Sequence, residues 1–94
     1  MQQEQAEAIA IQALSFIAAD PELLPRFLAL TGIEAGQIRQ AAREPGFLGG
    51  VLQFVLAHEP TLLSFSEQSG IAPEHVAAAR QHLPFGKEDW DIQP

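Results

Sequence analysis

The sequence predicts an all-α fold: a six-helix array built from two repeated three-helix units, followed by an irregular C-terminal tail. Three observations carry this. Proline follows an acidic residue at Asp20-Pro21, Glu44-Pro45 and Glu59-Pro60, where its missing N–H is harmless in the first helical turn and the carboxylate meets the positive end of the helix dipole. Gly32 and Gly70 each follow a polar residue and precede an isoleucine, which suits a left-handed cap closing a helix. Finally, residues 14–33 overlay residues 52–71: Leu14 on Leu52, Phe16 on Phe54, Pro21 on Pro60, Phe27 on Phe65, Gly32-Ile33 on Gly70-Ile71, and further on Ile38 on Val76 and Ala41 on Ala79. A period of about 38 residues is in the range of stacked supersecondary units.

The elements run in order along the chain. In the first helix Ala6, Ile9, Ala10, Ala13, Phe16 and Ile17 form one apolar face, which Ile11, Leu14 and Ala18 extend round the cylinder, leaving Gln5, Gln12 and Ser15 wet. The second begins near residue 21 and sets Leu23, Leu24, Phe27 and Leu28 against Glu22 and Arg26. A third helix comes after Gly32 and carries Ile38 and Ala41. The fourth begins near residue 45 and reads FLGGVLQFVLA, apolar nearly all round with Gln53 its lone polar side chain, so it belongs in the middle. Gly49 and Gly50 each cost roughly 1 kcal/mol there relative to alanine. Either they admit a close helix crossing or they fall in a loose first turn. The fifth helix begins near residue 60 and ends at Gly70; the sixth runs from Ala72-Pro73-Glu74 to Leu83-Pro84, since the residue before proline is pushed out of the helical region. The simplest packing sets helices one and four back to back, with the other four around them.

Ninety-four residues allow one domain, taken as residues 1–84 with units at about 3–43 and 45–83, and a tail at 85–94. A chain of this size buries roughly 60 to 65% of its unfolded surface. With 47% hydrophobic and 18% charged residues it is globular in composition. The absence of cysteine excludes disulfides, thiolate zinc sites and cysteine nucleophiles, and fits the reducing cytoplasm where the protein is expected. The first residues lack the basic and apolar segments of a signal peptide, and the apolar runs fall short of the roughly 18 residues of a membrane helix. A formal charge of −7 repels phosphate backbones, which disfavours nucleic acid as a partner.

Chemistry is sparsely represented. His75 and His82 lie seven apart on the sixth helix, but zinc requires three or four convergent ligands, and two solvated histidines flanking Val76 and Leu83 explain the spacing. His58 belongs to a helix junction. Ser15, Ser64, Ser66 and Ser69 lack a G-x-S-x-G setting, tyrosine is absent, and no glycine-rich loop resembles a phosphate cradle. The sequence thus predicts neither an enzyme nor a metal or other cofactor.

Residues 27–43 resemble a helix-turn-helix. Gly32 precedes the aliphatic Ile38 by six residues, and Arg39 and Arg43 lie four apart on the next helix, where they could meet phosphates. Gly70 and Val76 repeat the spacing, yet the second copy retains only Arg80, and Glu34 and Glu44 bracket the first. Packing explains a spacing that recurs without its basic residues. The tail carries Phe85 and Trp90 among Lys87, Glu88, Asp89 and Asp91. Either it folds back over the core as a clip, or it docks as an acidic-aromatic segment into a basic, apolar groove on a partner.

The run ALSFIAADPELLPRFLALTGI, the proline-led EPGFLGGVLQFVL and the segment ending SGIAPEHVAAARQHLP resemble a family of small alphaproteobacterial domains of unknown function. The resemblance spans about residues 6–84, its most specific element being D-P-x-x-x-x-R-F-L-x-x-[ST]-G at residues 20–32. It implies a short, all-helical cytoplasmic protein and brings no site residues. The expected function is a protein-interaction module, adaptor or regulatory, with an unknown protein partner and with a homodimer through the apolar fourth helix left open. The alternative is a small DNA-associated regulator using residues 27–43. Arg39, Arg43, Phe85 and Trp90 are the candidate interaction residues.

Overall fold

A 17-residue helix, α1 (Gln3–Ala19), forms the longest element of the computed structural model, which describes residues 1–44 and 46–83. It opens with the Gln2 N–H donating to Gln5 Oε1 at 3.0 Å. Its inner face is a stripe of small residues, Ala6, Ala10 and Ala13, completed by Ile17, all fully buried. Alanine carries no side-chain entropy to lose and lets neighbouring backbones come close.

At Asp20 the chain turns by 114° into α2 (Leu23–Thr31). Asp20 Oδ1 accepts the N–H groups of Glu22 at 2.8 Å and Leu23 at 3.0 Å, satisfying donors that a helix start leaves orphaned. This capping delays the helix by two residues relative to the sequence expectation and leaves Pro21 in the turn. Pro25 falls in the first turn of α2, where no intrahelical donor is lost.

Two helices close alike. Gly32, ending α2, has φ 75° and donates to Leu28 O at 2.9 Å; Gly70, ending α5 (Glu59–Ser69), has φ 78° and donates to Ser66 O at 2.9 Å. In each case the preceding hydroxyl serves twice. Thr31 Oγ1 donates to Phe27 O at 2.9 Å and accepts the Ile33 N–H at 3.3 Å. Ser69 Oγ donates to Phe65 O at 2.7 Å and accepts the Ile71 N–H at 3.1 Å. A short hydroxyl side chain next to glycine reproduces the same exit from a helix.

Beyond the two caps the chain takes different courses. After Gly32 come a 3-10 turn (Ala35–Gln37) and a four-residue helix, α3 (Ile38–Ala41). After Gly70 comes the nine-residue α6 (Pro73–Gln81). Residues 34–43 offer only Ile38, Ala41 and Ala42 to a core, all half-buried, and Gly36 lowers helix propensity further. With so little area to bury, a longer helix lacks a driving force.

The apolar α4 (Phe47–Leu56) packs on α1, as its composition predicts, but α6 shares the centre with them. Val76 and Ala79 of α6 are fully buried, and α1, α4 and α6 pack on one another in a three-sided arrangement rather than as a pair ringed by four. Helix α5 packs on α4, and its Phe65 ring lies 5.4 Å from that of Phe16 on α1. One continuous core results. The described residues contain helices and turns, no strand, and no single helix long and apolar enough to cross a membrane.

One expectation about faces is corrected, and one of the two alternatives for Gly50 falls away. Helix α1 is covered on a narrower arc than its composition suggests, since Ile11 is 53% exposed and Ala18 lies in solvent. The single turn of α3 is too short to cover the Ile11 side. Gly50 admits no close crossing, because a Cβ built on it meets nothing within 4 Å.

Candidate functional site: an apolar groove between the second and fourth helices

Helical spacing sorts α4 into two faces. Phe47, Val51, Leu52 and Val55 point into the core and are buried. Gly50, Gln53 and Phe54, with Ala57 just beyond the helix end, recur at i, i+3, i+4 and i+7 and so share another side. Those four line a groove of about 390 Å³. Its opposite wall is Arg26, Leu30 and Thr31 of α2, and His58 closes one end.

Aromatic packing creates the groove. The rings of Phe27 and Phe54 meet edge to face with centroids 5.4 Å apart, and Phe27 meets Phe47 in the same way at 6.0 Å. These rings fill the space between α2 and α4, whose backbones stay apart. Above them, with no side chain on Gly50, the surface is concave. Leu30 stands at the mouth, 73% exposed. The concave apolar surface that Leu30 borders is of the kind that contact sites use.

The polar groups of the groove are few. Arg26 and His58 are exposed, and His58 Nδ1 is hydrogen-bonded to Thr61 Oγ1 at 2.8 Å, which fixes the ring at the start of α5. Gln53 accepts a hydrogen bond at Oε1 from Arg80 Nη1, so its amide nitrogen remains its free donor. The Arg80 Nε is buried and has no partner among the described residues. Among the described residues no carboxylate lines the groove. On a chain of net charge −7 that makes it a locally non-acidic surface. Arg26 also borders an adjoining hollow that holds Asp20 and Glu22.

The two arginines singled out from sequence lie elsewhere. Arg39 is exposed and borders a second hollow, about 690 Å³, with Ile11, Leu14, Ala35, Gly36 and Ile38. Arg43 is exposed beside Glu7, Glu44, Leu48 and Leu83, at a smaller hollow of about 140 Å³. The two arginines thus border different depressions. The helix carrying Arg39 ends at Ala41, and the backbone tightens to a 3-10 bond at Arg43, whose N–H meets Gln40 O at 3.1 Å. A DNA-reading helix offers several residues of one face to a groove; α3 has a single turn. Phe85 and Trp90 lie outside the described residues. His75 and His82 are both exposed, and His82 Nδ1 is hydrogen-bonded to the Ala78 carbonyl at 2.9 Å. Among the described residues no three His, Asp or Glu side chains gather as metal ligands would.

The groove residues Leu30, Phe54 and Gly50 were not singled out as a site by sequence reasoning. One signal was available: Leu30 continues the row of Leu23 and Phe27 at i+7 and i+3 into the last turn of α2, an aliphatic position that the predicted apolar face left out.

Fold and surface together define a small all-helical domain with an open apolar groove. The chain belongs to the family described as "Protein of unknown function (DUF3572)", whose model matches residues 3–86. Neither a curated protein nor a solved structure matches it.

Proposed function

We propose that this chain is a protein-interaction module without catalysis, and that it takes an apolar anchor of a partner protein into the α2–α4 groove. The observation that carries the reading is Leu30, exposed at the mouth of a concave surface floored by Phe54. A groove of this size fits one or two anchoring side chains, the arrangement by which a few buried residues supply most of an interface's affinity. Arg26 and His58 at its edges favour a partner segment whose apolar anchor is flanked by carboxylates. The reading places the protein in the cytoplasm, in keeping with its lack of cysteine.

The division into two related three-helix units also belongs here as a proposal. The paired exits at Thr31-Gly32 and Ser69-Gly70 support it, and the unlike lengths of α3 and α6 would mark where the second copy was recruited to the core.

Affinity capture from the native cell with the wild-type chain and with Leu30→Asp tests the reading. A protein recovered by the first and lost with the second is expected; equal recovery overturns it. The competing DNA-associated role would replace it if a salt-dependent complex with duplex DNA formed and was lost on Arg39→Glu with Arg43→Glu.

A further inference from the structure

A second apolar surface lies away from the α2–α4 groove, on the outer face of α1. Ile11 stands there 53% exposed and borders two hollows at once. At about 100° per residue, Leu14 falls to one side of it and Gln12 and Phe16 to the other. The first side opens on the hollow of about 690 Å³ shared with Leu14 and Ile38. The other opens on a hollow of about 360 Å³ shared with Phe16 and Phe65. The side chain is therefore an apolar ridge between two depressions. We infer that this face binds a second copy of the chain, with the two α1 helices antiparallel about a two-fold axis at Ile11 and each Ile11 seated in a hollow of the other copy.

A two-fold contact uses the same patch on both sides, so that patch must offer both a projection and a place to receive it. Ile11 and its flanking hollows offer both. The seam extends along the helix. Glu4, Ala8, Ile11, Ser15 and Ala18, all exposed, are spaced alternately four and three apart, which keeps them in line along a helix that packs on another at a shallow angle. Ala8, Ser15 and Ala18 are small enough for a second helix to come close.

Charge favours a second copy as the occupant. A chain of net charge −7 repels itself wherever carboxylates would meet. Among the described residues that border the two hollows none is a carboxylate, and Arg39 is the one charged group. Two copies can therefore meet here without opposing their acidic groups.

The direction of pairing follows from α1 itself. It holds Glu4 and Glu7 near its start and no charged residue from Ala8 to Ala19. Parallel pairing would set both glutamates beside their own counterparts. Antiparallel pairing about Ile11 sets Glu4 opposite Ala18 and Glu7 opposite Ser15. The two Glu4 residues are then roughly 21 Å apart along the axis, well beyond the roughly 8–10 Å over which exposed charges act at ordinary ionic strength. The helix dipoles are also opposed in direction, which is favourable for neighbours.

The α2–α4 groove shares no lining residue with either hollow, so this inference and the groove reading stand or fall separately. Sedimentation equilibrium of the full chain, from micromolar to millimolar, tests it. The average mass is expected to rise from one chain towards two. Ile11→Asp should abolish the rise and Leu30→Asp should leave it, with far-UV circular dichroism unchanged in both, since both positions are exposed. Ser15→Lys, also at an exposed position, sets a cation opposite Glu7 of the second copy and should tighten association severalfold at low salt. In a parallel pair the same substitution would bring like charges together and weaken it. Leu63→Lys, at an exposed position of α5 outside both hollows, makes the same change of net charge and should gain less. A chain that stays monomeric throughout the range overturns the inference. So does a dimer that survives Ile11→Asp, one lost on Leu30→Asp instead, or one that Ser15→Lys tightens no more than Leu63→Lys does.

Discussion

The ring of Phe27 meets the ring of Phe54 edge to face at an interplanar angle of 82°, and only Phe27 is shut away from solvent, at 1% exposure. One aromatic pair therefore joins the core to the floor of the groove. Truncating a fully buried phenylalanine costs about 3–5 kcal/mol, a large part of the stability expected for a domain of this size, which is roughly 5–14 kcal/mol. Phe27→Ala should lower the thermal midpoint steeply. Phe54→Ala, at a half-buried position, should cost about 1–2 kcal/mol by the same transfer argument. Urea titration of both variants and of the double variant checks this, with a coupling of about 0.5–1.5 kcal/mol expected from the ring contact.

Gly50 and Gly32 should respond in opposite directions to alanine. Gly50 lies inside α4 with open space where a Cβ would go, so Gly50→Ala should stabilise by about 0.5–1 kcal/mol. Gly32 holds φ at 75°, a backbone that alanine adopts only under strain, so Gly32→Ala should destabilise by about 1 kcal/mol. Gly70→Ala should match Gly32→Ala, because the two caps share their geometry. Denaturant midpoints for the three variants decide the matter. A methyl at position 50 also enters the groove, so the variant should be more stable and bind less well.

Ser66 offers a substitution expected to do no harm. Its Oγ is buried without a hydrogen-bond partner among the described residues, and an unpaired buried hydroxyl carries a desolvation cost of about 1–3 kcal/mol. Ser66→Ala should leave stability unchanged or raise it by up to about 1 kcal/mol. A clear loss in urea titration would mean that the hydroxyl is satisfied in solution.

Asp20 is the cap that turns α1 into α2. Asp20→Ala removes the acceptor for the Glu22 and Leu23 N–H groups and should cost about 1 kcal/mol. Asp20→Asn keeps an acceptor oxygen at the same place and should retain most of that stability. Hydrogen exchange at Leu23 reads the difference locally, with faster exchange expected in the alanine variant alone.

Helix punctuation was legible because it is written locally. Asp20-Pro21, Ala72-Pro73, Thr31-Gly32 and Ser69-Gly70 act through groups a few residues away, and each lies at a helix boundary in the fold. The brevity of α3 was less visible. Its Ile38 and Ala41 fit a helical period, and only the packing decides how many turns so small an apolar face can sustain. The placing of α6 at the centre depends on Val76 and Ala79 finding α1 and α4, a relation between distant segments that no local pattern encodes. The groove was hidden for a related reason. An apolar α4 signals burial, and the sequence does not say that the Phe27 and Phe54 rings hold α2 away from it.

Helix α4 thus divides its duties between two sides. Phe47, Val51, Leu52 and Val55 are held by their neighbours, and a change of volume at any of them is felt throughout the interior. Gly50, Gln53 and Ala57 are not so constrained. A lineage can therefore exchange one binding preference for another along that side, by ordinary single substitutions, while the domain goes on folding as before. Conservation across relatives should obey the same division, strict on the first set and drifting on the second.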